Sequence, residues 1–155
     1  LWRRVATPMA SLFHQIWIGS VLVIISVLVS AVIFVTLEAL VARLHRWLMR
    51  PPHRPKLALV LVGTVIGALA MITISVWIWA LAFLWLGVFG GLEESLYFAL
   101  ESFTTLGFGD LLAPNDWRIL GGMTAVNGFL NIGMISAIVL EVIRYVRRNQ
   151  MASPL

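Results

Sequence analysis

Apolar residues run in three long blocks along the chain, and charged residues stand almost only between them. No Asp, Glu, Lys or Arg occurs from Val5 to Leu37, from Leu57 to Leu92, or from Ile119 to Leu140. Eighteen or more uncharged apolar residues suffice for a helix that crosses a bilayer, so the pattern predicts three spans. The first runs from about Ile16 to Ala42 and is dense in Val, Ile and Leu. The second stretch, 57–92, has 36 residues. At that length a continuous helix measures roughly 54 Å, well beyond the ~30 Å hydrocarbon core. It must tilt, project or break, and Gly87, Gly90 and Gly91 mark the expected break. Trp77, Trp79 and Trp85 are expected to face lipid or to pack. The third span follows the polar turn "APND" (113–116) and ends in the basic run "RYVRRNQ".

Between the second and third spans lie two segments of different character. "LEESLYFALESF" (92–103) reads as an amphipathic helix of about three turns, too short to span, with Glu93 and Glu94 where the positive end of the macrodipole favours acids. "TTLGFGD" (104–110) is neither good helix nor good strand. Irregular backbone at membrane depth is tolerated only where it is buried in protein or lines water, so a short helix returning through this loop implies an aqueous path. Glycines admit backbone angles that other residues resist, which allows successive carbonyls to face one side. Threonine adds a hydroxyl oxygen to that row. The helix C-terminus, expected near Thr104, turns its negative end to the same path and favours a cation.

Composition agrees with the membrane class. Of 155 residues 61% are hydrophobic and 12% charged, against about half apolar and a quarter charged in ordinary soluble domains. No large water-soluble domain is expected, and none that binds a ligand or nucleotide. The absence of cysteine excludes disulfides, thiolate metal sites and cysteine nucleophiles. An enzyme is disfavoured: His14 is interfacial, and His45 and His53 stand in a basic loop without paired carboxylates. No catalytic residue and no cofactor is therefore assigned, and helix capping and loop support account for Glu93, Glu94 and Glu101 better than metal binding does. "LWRRVATPMASLFHQIW" (1–17), with Arg3 and Arg4, reads as an interfacial lead-in rather than a signal peptide. Glu38 lies close enough to Arg43 and Arg46 to pair or to reach the interface.

Charge also sets orientation. The segment 43–56, "RLHRWLMRPPHRPK", holds five Lys/Arg, two His, three Pro and Trp47, a headgroup-level anchor. Pro51 and Pro52 end any helix there. This segment is either a plain cytoplasmic loop or an anionic-lipid site. Arg144, Arg147 and Arg148 end the third span, whereas 93–118 carries one Arg against five acids. The positive-inside rule then puts 43–56 and the C-terminus in the cytoplasm and "TTLGFGD" outside. Three spans place the N-terminus outside, in mild conflict with Arg3 and Arg4. No nucleic-acid partner is implied.

Residues 93–136 resemble the pore of tetrameric potassium channels. "TTLGFGD" is similar to TTVGYGD, whose core is a potassium filter built of backbone carbonyls, with Leu106 in place of Val and Phe108 in place of Tyr. The resemblance implies an all-α membrane protein: three transmembrane helices plus a re-entrant pore helix and filter loop, repeated around a four-fold axis. It implies that the carbonyls of Thr105, Leu106, Gly107 and Phe108, with the Thr105 hydroxyl, replace the hydration shell of K+, and that Gly109 gives the outermost carbonyl. Glu101 and Asp110 stand where some bacterial members pair a pore-helix Glu with the Asp after the filter. Tyr97 and Phe98 take the place of two bracing tryptophans. That departure and Phe108 mean the usual hydrogen-bonded cuff is missing or rebuilt. Thr104 supports the filter entrance. On the third span, Gly128 and Gly133 are a hinge or close-packing positions. Asn127 and Asn131 share a face, and either line a cavity or bond between helices.

The implied plan divides the chain into an N-terminal peripheral helix and basic loop (1–56), a pore module (57–148) and a tail (149–155). Within the module the outer helix takes 57–89, the pore helix 93–104, the filter 104–110 and the inner helix 118–146. The first helix lacks the repeated Arg of a voltage sensor. The implied activity is K+ conduction by a homotetramer in a bilayer, in the plasma (inner) membrane of a prokaryote. A weakly selective cation channel and a non-conducting accessory protein are the alternatives.

Overall fold

The computed structural model describes residues 8–48 and 53–151, with side chains over 12–43, 55–56 and 58–144. Residues 1–7 of the lead-in, the prolines at 51 and 52, and the last residues of the tail lie outside the described residues. So do the side chains of Trp47 and of most basic residues in 43–56 and 144–148.

Four helices follow in order: α1 (Pro8–Leu48), α2 (His53–Trp85), α3 (Leu92–Phe103) and α4 (Arg118–Met151), the last entered through a 3-10 turn at Asn115–Trp117. Three of them, over Leu12–Arg43, Ala58–Trp85 and Asn115–Arg144, are long and apolar enough to cross a membrane. The helices outrun the apolar blocks: α1 continues past Ala42 to Leu48, α2 starts at His53 and α4 runs on to Met151. A basic residue ends an apolar span without breaking the backbone ladder. Proline is tolerated in a first helical turn, where its missing N–H would have no partner, which suits Pro8 in α1 and Pro55 in α2.

α2 stops where the glycines begin. Gly87 adopts φ +65°, its N–H donates to Leu84 O at 3.1 Å, and the Val88 N–H donates to Phe83 O at 2.9 Å. These two bonds form a Schellman C-cap with glycine in its left-handed position. Val88 and Phe83, both buried, supply the apolar contact that accompanies it. α3 then starts at the extended Gly91. Glu94 reaches back to accept the Gly90 N–H at 3.1 Å, and Ser95 Oγ donates to Gly91 O at 2.8 Å.

The core lies where α2, α3 and the start of α4 meet, built from Trp79, Phe83, Phe98, Phe103 and Leu120 with smaller neighbours. Phe98 packs edge-on to Phe83 at 5.3 Å and against Phe89 at 4.9 Å between ring centroids. Of the three tryptophans on α2, Trp79 is buried, Trp77 is partly exposed and Trp85 lies open at 90%.

α1 packs on both α2 and α4. Ser26 Oγ donates to Ser75 Oγ of α2 at 3.0 Å, and Ser30 Oγ donates to Asn131 Oδ1 of α4 at 2.6 Å. Gln15 Oε1 accepts from the Ile119 and Leu120 N–H groups at 3.1 and 3.3 Å. With Leu37 standing over Gly67 of α2, these pairs make α1 parallel to α4 and antiparallel to α2. The start of α1, the end of α2, α3 and the loop 104–110 therefore share one end of the bundle. The end of α1, the start of α2 and the end of α4 share the other.

Candidate ion-conduction site

α3 delivers the loop at its C-terminus, and the loop's own N–H groups cap it. Thr104 N–H donates to Leu100 O at 3.0 Å, Thr105 N–H to Ser102 O at 3.0 Å, and Leu106 and Gly107 N–H to Glu101 O at 2.9 and 3.3 Å. The Thr104 hydroxyl adds a bond to Leu100 O at 2.8 Å. Helix C-termini leave carbonyls without partners, and here the first residues of the loop supply them. The loop's donors are thereby turned inward against α3.

Its acceptors are not. Among the described residues no hydrogen bond ends on a carbonyl from Thr104 to Gly109. Handedness alternates along the same stretch: Thr105, Gly107 and Gly109 have φ of +58°, +55° and +78°, whereas Leu106 and Phe108 do not share the positive sign. Alternating left- and right-handed residues turn successive peptide planes the same way, which aligns like groups on one side. Glycine enters this region without penalty, but a threonine there costs about 1–2 kcal/mol. Strain of this size persists only where the surroundings enforce it, and such residues gather at functional sites. Three bonded N–H groups on the α3 side of Thr105 to Gly107 provide the enforcement. Among the described residues the Thr105 hydroxyl makes no hydrogen bond.

The far end of the loop is tied back to α3 by Tyr97, whose hydroxyl donates to Asp110 Oδ2 at 2.8 Å. Asp110 Oδ1 accepts the Leu111 N–H at 3.1 Å. The phenol holds the Asp110 carboxyl below the ordinary 3.8, and the same bond, to an anion, raises the Tyr97 hydroxyl above 10.0. Glu101 is buried beside this pair, and its Oε2 has no hydrogen-bond partner. Burial first, and then the nearby Asp110 charge, push its carboxyl above 4.5, while the Phe108 N–H acts the other way. A carboxyl so placed favours its protonated form.

Of the two aromatic positions expected to brace the filter, Tyr97 reaches Asp110 while Phe98 turns into the core. The side chains of Leu106 and Phe108 are 58% and 70% exposed in the single chain. Gly128 lies directly under α3, where a Cβ would collide with the Phe103 carbonyl, whereas Gly133 has nothing within 4 Å. Asn127 and Asn131 are fully buried. Asn131 Nδ2 donates to Asn127 O at 2.9 Å and to Asn127 Oδ1 at 3.0 Å, and its own Oδ1 accepts from Ser30 of α1. The interhelical bond is thus present. The exposed face of α4 in the single chain carries Gly122, Val126, Phe129, Leu130 and Gly133.

Sequence reasoning missed the part played by α1. Gln15 and the Ser26/Ser30 pair, four residues apart in an apolar span, were its signal, because polar residues inside a span mark helix contacts. The described residues contain no group of three or more His, Cys, Asp or Glu able to hold a metal.

No curated protein and no solved structure matches the chain. The profile of the ion channel family matches residues 58–145, from the start of the α2 span through the loop to the last turns of α4. The match takes in more than half of the chain and the whole carbonyl row between two spanning helices, and the chain accordingly belongs to the ion channel family, with the two-helix pore of potassium channels.

Proposed function

We propose that the chain is one quarter of a homotetrameric channel that passes K+ in preference to Na+ through the loop 104–110. The row of carbonyls without partners, from Thr104 to Gly109, set by alternating backbone handedness, carries this reading. Oxygens fixed on one side of a strand, with their amides committed elsewhere, can replace an ion's hydration shell. A single chain offers one such row, and a cage needs several, which together with exposed Leu106 and Phe108 supports a four-fold assembly. In it K+ is held by the carbonyls of Thr105, Leu106, Gly107 and Phe108, the Thr105 hydroxyl closes the inner end, and Gly109 faces the outer mouth. The chain acts as a conduit, not a catalyst, with the permeant ion as its only ligand. It sits in a prokaryotic plasma membrane, where the basic 43–56 segment meets anionic headgroups on the cytoplasmic side.

A less selective cation channel is the second reading. The observation that favours it is Phe108, which has no hydroxyl to bond and whose ring gains nothing from Phe98. Purified protein in liposomes decides between the two. A K+ flux blocked by barium and far exceeding the Na+ flux is expected; equal fluxes establish the second reading, and none from an intact oligomer defeats both.

A further inference from the structure

α1 lies outside the family-matched residues, yet it holds the inner helix at two buried polar points. At the outer end Gln15, 5% exposed, accepts two N–H groups of the first turn of α4. These are donors that a helix start leaves without partners. Halfway down, Ser30 donates to Asn131, which is bonded in turn to Asn127. Below Asn131 the contact changes character. Among the described residues no hydrogen bond joins α1 to α4 there. The two helices instead border an open-sided cavity of about 220 Å³, with Phe34, Leu37 and Glu38 on one side and Ile138, Glu141 and Val142 on the other. Gly133, with open space where a side chain would stand, lies two residues past the last attachment.

We propose that α1 is a splint for the inner helix: Gln15 and Ser30 fix its outer half, and the half below Gly133 is left to swing over the cavity beside α1. Ser30 is then a positioning residue that sets the balance between conducting and closed states, an inference that rests on the channel reading above. Packing alone would not concentrate the polar contacts on the outer half, since lipid is as apolar as the helices and offers no gain for burying a serine. A pivot needs one rigid arm and one free arm, and the polar pairs and the cavity supply them.

Ser30→Ala and Ser30→Thr are compared with the wild type in two measurements. In single-channel recording Ser30→Ala is expected to change the open-to-closed ratio by about 3-fold, and at most about 16-fold, the range for one interhelical hydrogen bond in a bilayer. Unitary conductance and the K+/Na+ permeability ratio stay at wild-type values, and Ser30→Thr, which keeps the hydroxyl, restores the ratio. In amide hydrogen exchange on the oligomer in nanodiscs, Ser30→Ala speeds exchange around residues 127–135. A Ser30→Ala protein with wild-type open probability overturns the proposal, and so does unchanged exchange. Wild-type protein that carries no ion defeats the channel reading instead, and the exchange measurement then decides alone whether the splint exists.

Discussion

Two glycines of α4, five residues apart, are set in opposite surroundings, and a methyl group at each tests the packing directly. At Gly128 a Cβ would overlap the Phe103 carbonyl, the last residue of α3. The obstacle is backbone, not the end of a side chain, so relief requires α3 and α4 to separate. Overpacking of this kind costs about 1–3 kcal/mol. At Gly133 nothing stands within 4 Å, and alanine is favoured over glycine in a helix by about 1 kcal/mol. The propensity gain is common to both substitutions, so Gly128→Ala and Gly133→Ala are expected to differ in stability by about 1–3 kcal/mol, with Gly128→Ala the weaker.

Thermal melting of the purified oligomer in nanodiscs measures this, with K+ flux in liposomes alongside. Gly128→Ala is expected to melt below the wild type and to lose flux, because Phe103 abuts the loop residues that cap α3. Gly133→Ala is expected to melt at or above the wild-type temperature. If Gly128 served only as a hinge, its substitution would alter gating and leave assembly intact. A Gly128→Ala oligomer as stable as Gly133→Ala would refute the close-packing assignment and the α3–α4 geometry behind it.

Gly107→Ala and Gly109→Ala place a methyl on residues at φ +55° and +78°, each at about 1–2 kcal/mol, and are expected to abolish selective conduction; wild-type K+/Na+ ratios in both would remove the filter from this loop. Tyr97→Phe deletes the phenol hydrogen bond to Asp110, and loss of sustained current in recordings is expected, whereas an unaltered time course would show that the tie does not matter. The two carboxyls respond to pH in opposite senses. Asp110, lowered from 3.8, contributes above that value and loses its contribution as pH falls through its depressed pKa. Glu101, raised from 4.5, contributes in its protonated form below 4.5 and loses this as pH rises through its elevated pKa. Glu101→Gln should therefore remove the alkaline-side change in oligomer stability and keep the acid-side one; a melting-versus-pH curve with both limbs intact would contradict the assignment.

The three spans were legible because a bilayer excludes charge, and the charge-free runs of this chain have the right length. The end of α2 was legible for a related reason: Gly87 sits where a left-handed residue must cap the helix. The outer limits of α1, α2 and α4 were not, since Arg43 or His53 changes the solvent a helix meets without breaking its hydrogen bonds. Tyr97 and Asp110 are thirteen residues apart across an irregular loop, and no periodicity relates them. Ser26 and Ser30 are neutral and small, so they vanish within an apolar run until the helix opposite is known. The positive φ of Thr105 runs against the preference of a β-branched side chain. Only the N–H bonds back to the end of α3 explain it, and the preference of a single residue does not reveal them.

The rearranged bracing also bears on how strict the filter can be. A pore that rejects Na+ by geometry must resist collapse around the smaller ion, and one that rejects it by the number and field of its carbonyls need not. In this chain the intrachain supports act at the two ends of the row, the α3 cap at Thr104–Gly107 and the Tyr97–Asp110 bond beyond Gly109. The side chains in the middle are unbraced: Leu106 and Phe108 are exposed, and Phe98 packs on Phe83 and Phe89 instead. In the proposed tetramer the backbone bonds to Glu101 hold the central peptides from behind, and neighbouring copies packing on Phe108 add apolar contact without a directed hydrogen bond. Selectivity in such a pore depends on assembly more than on any single protomer, which ties the discrimination of ions to the same packing that Gly128 secures beneath α3.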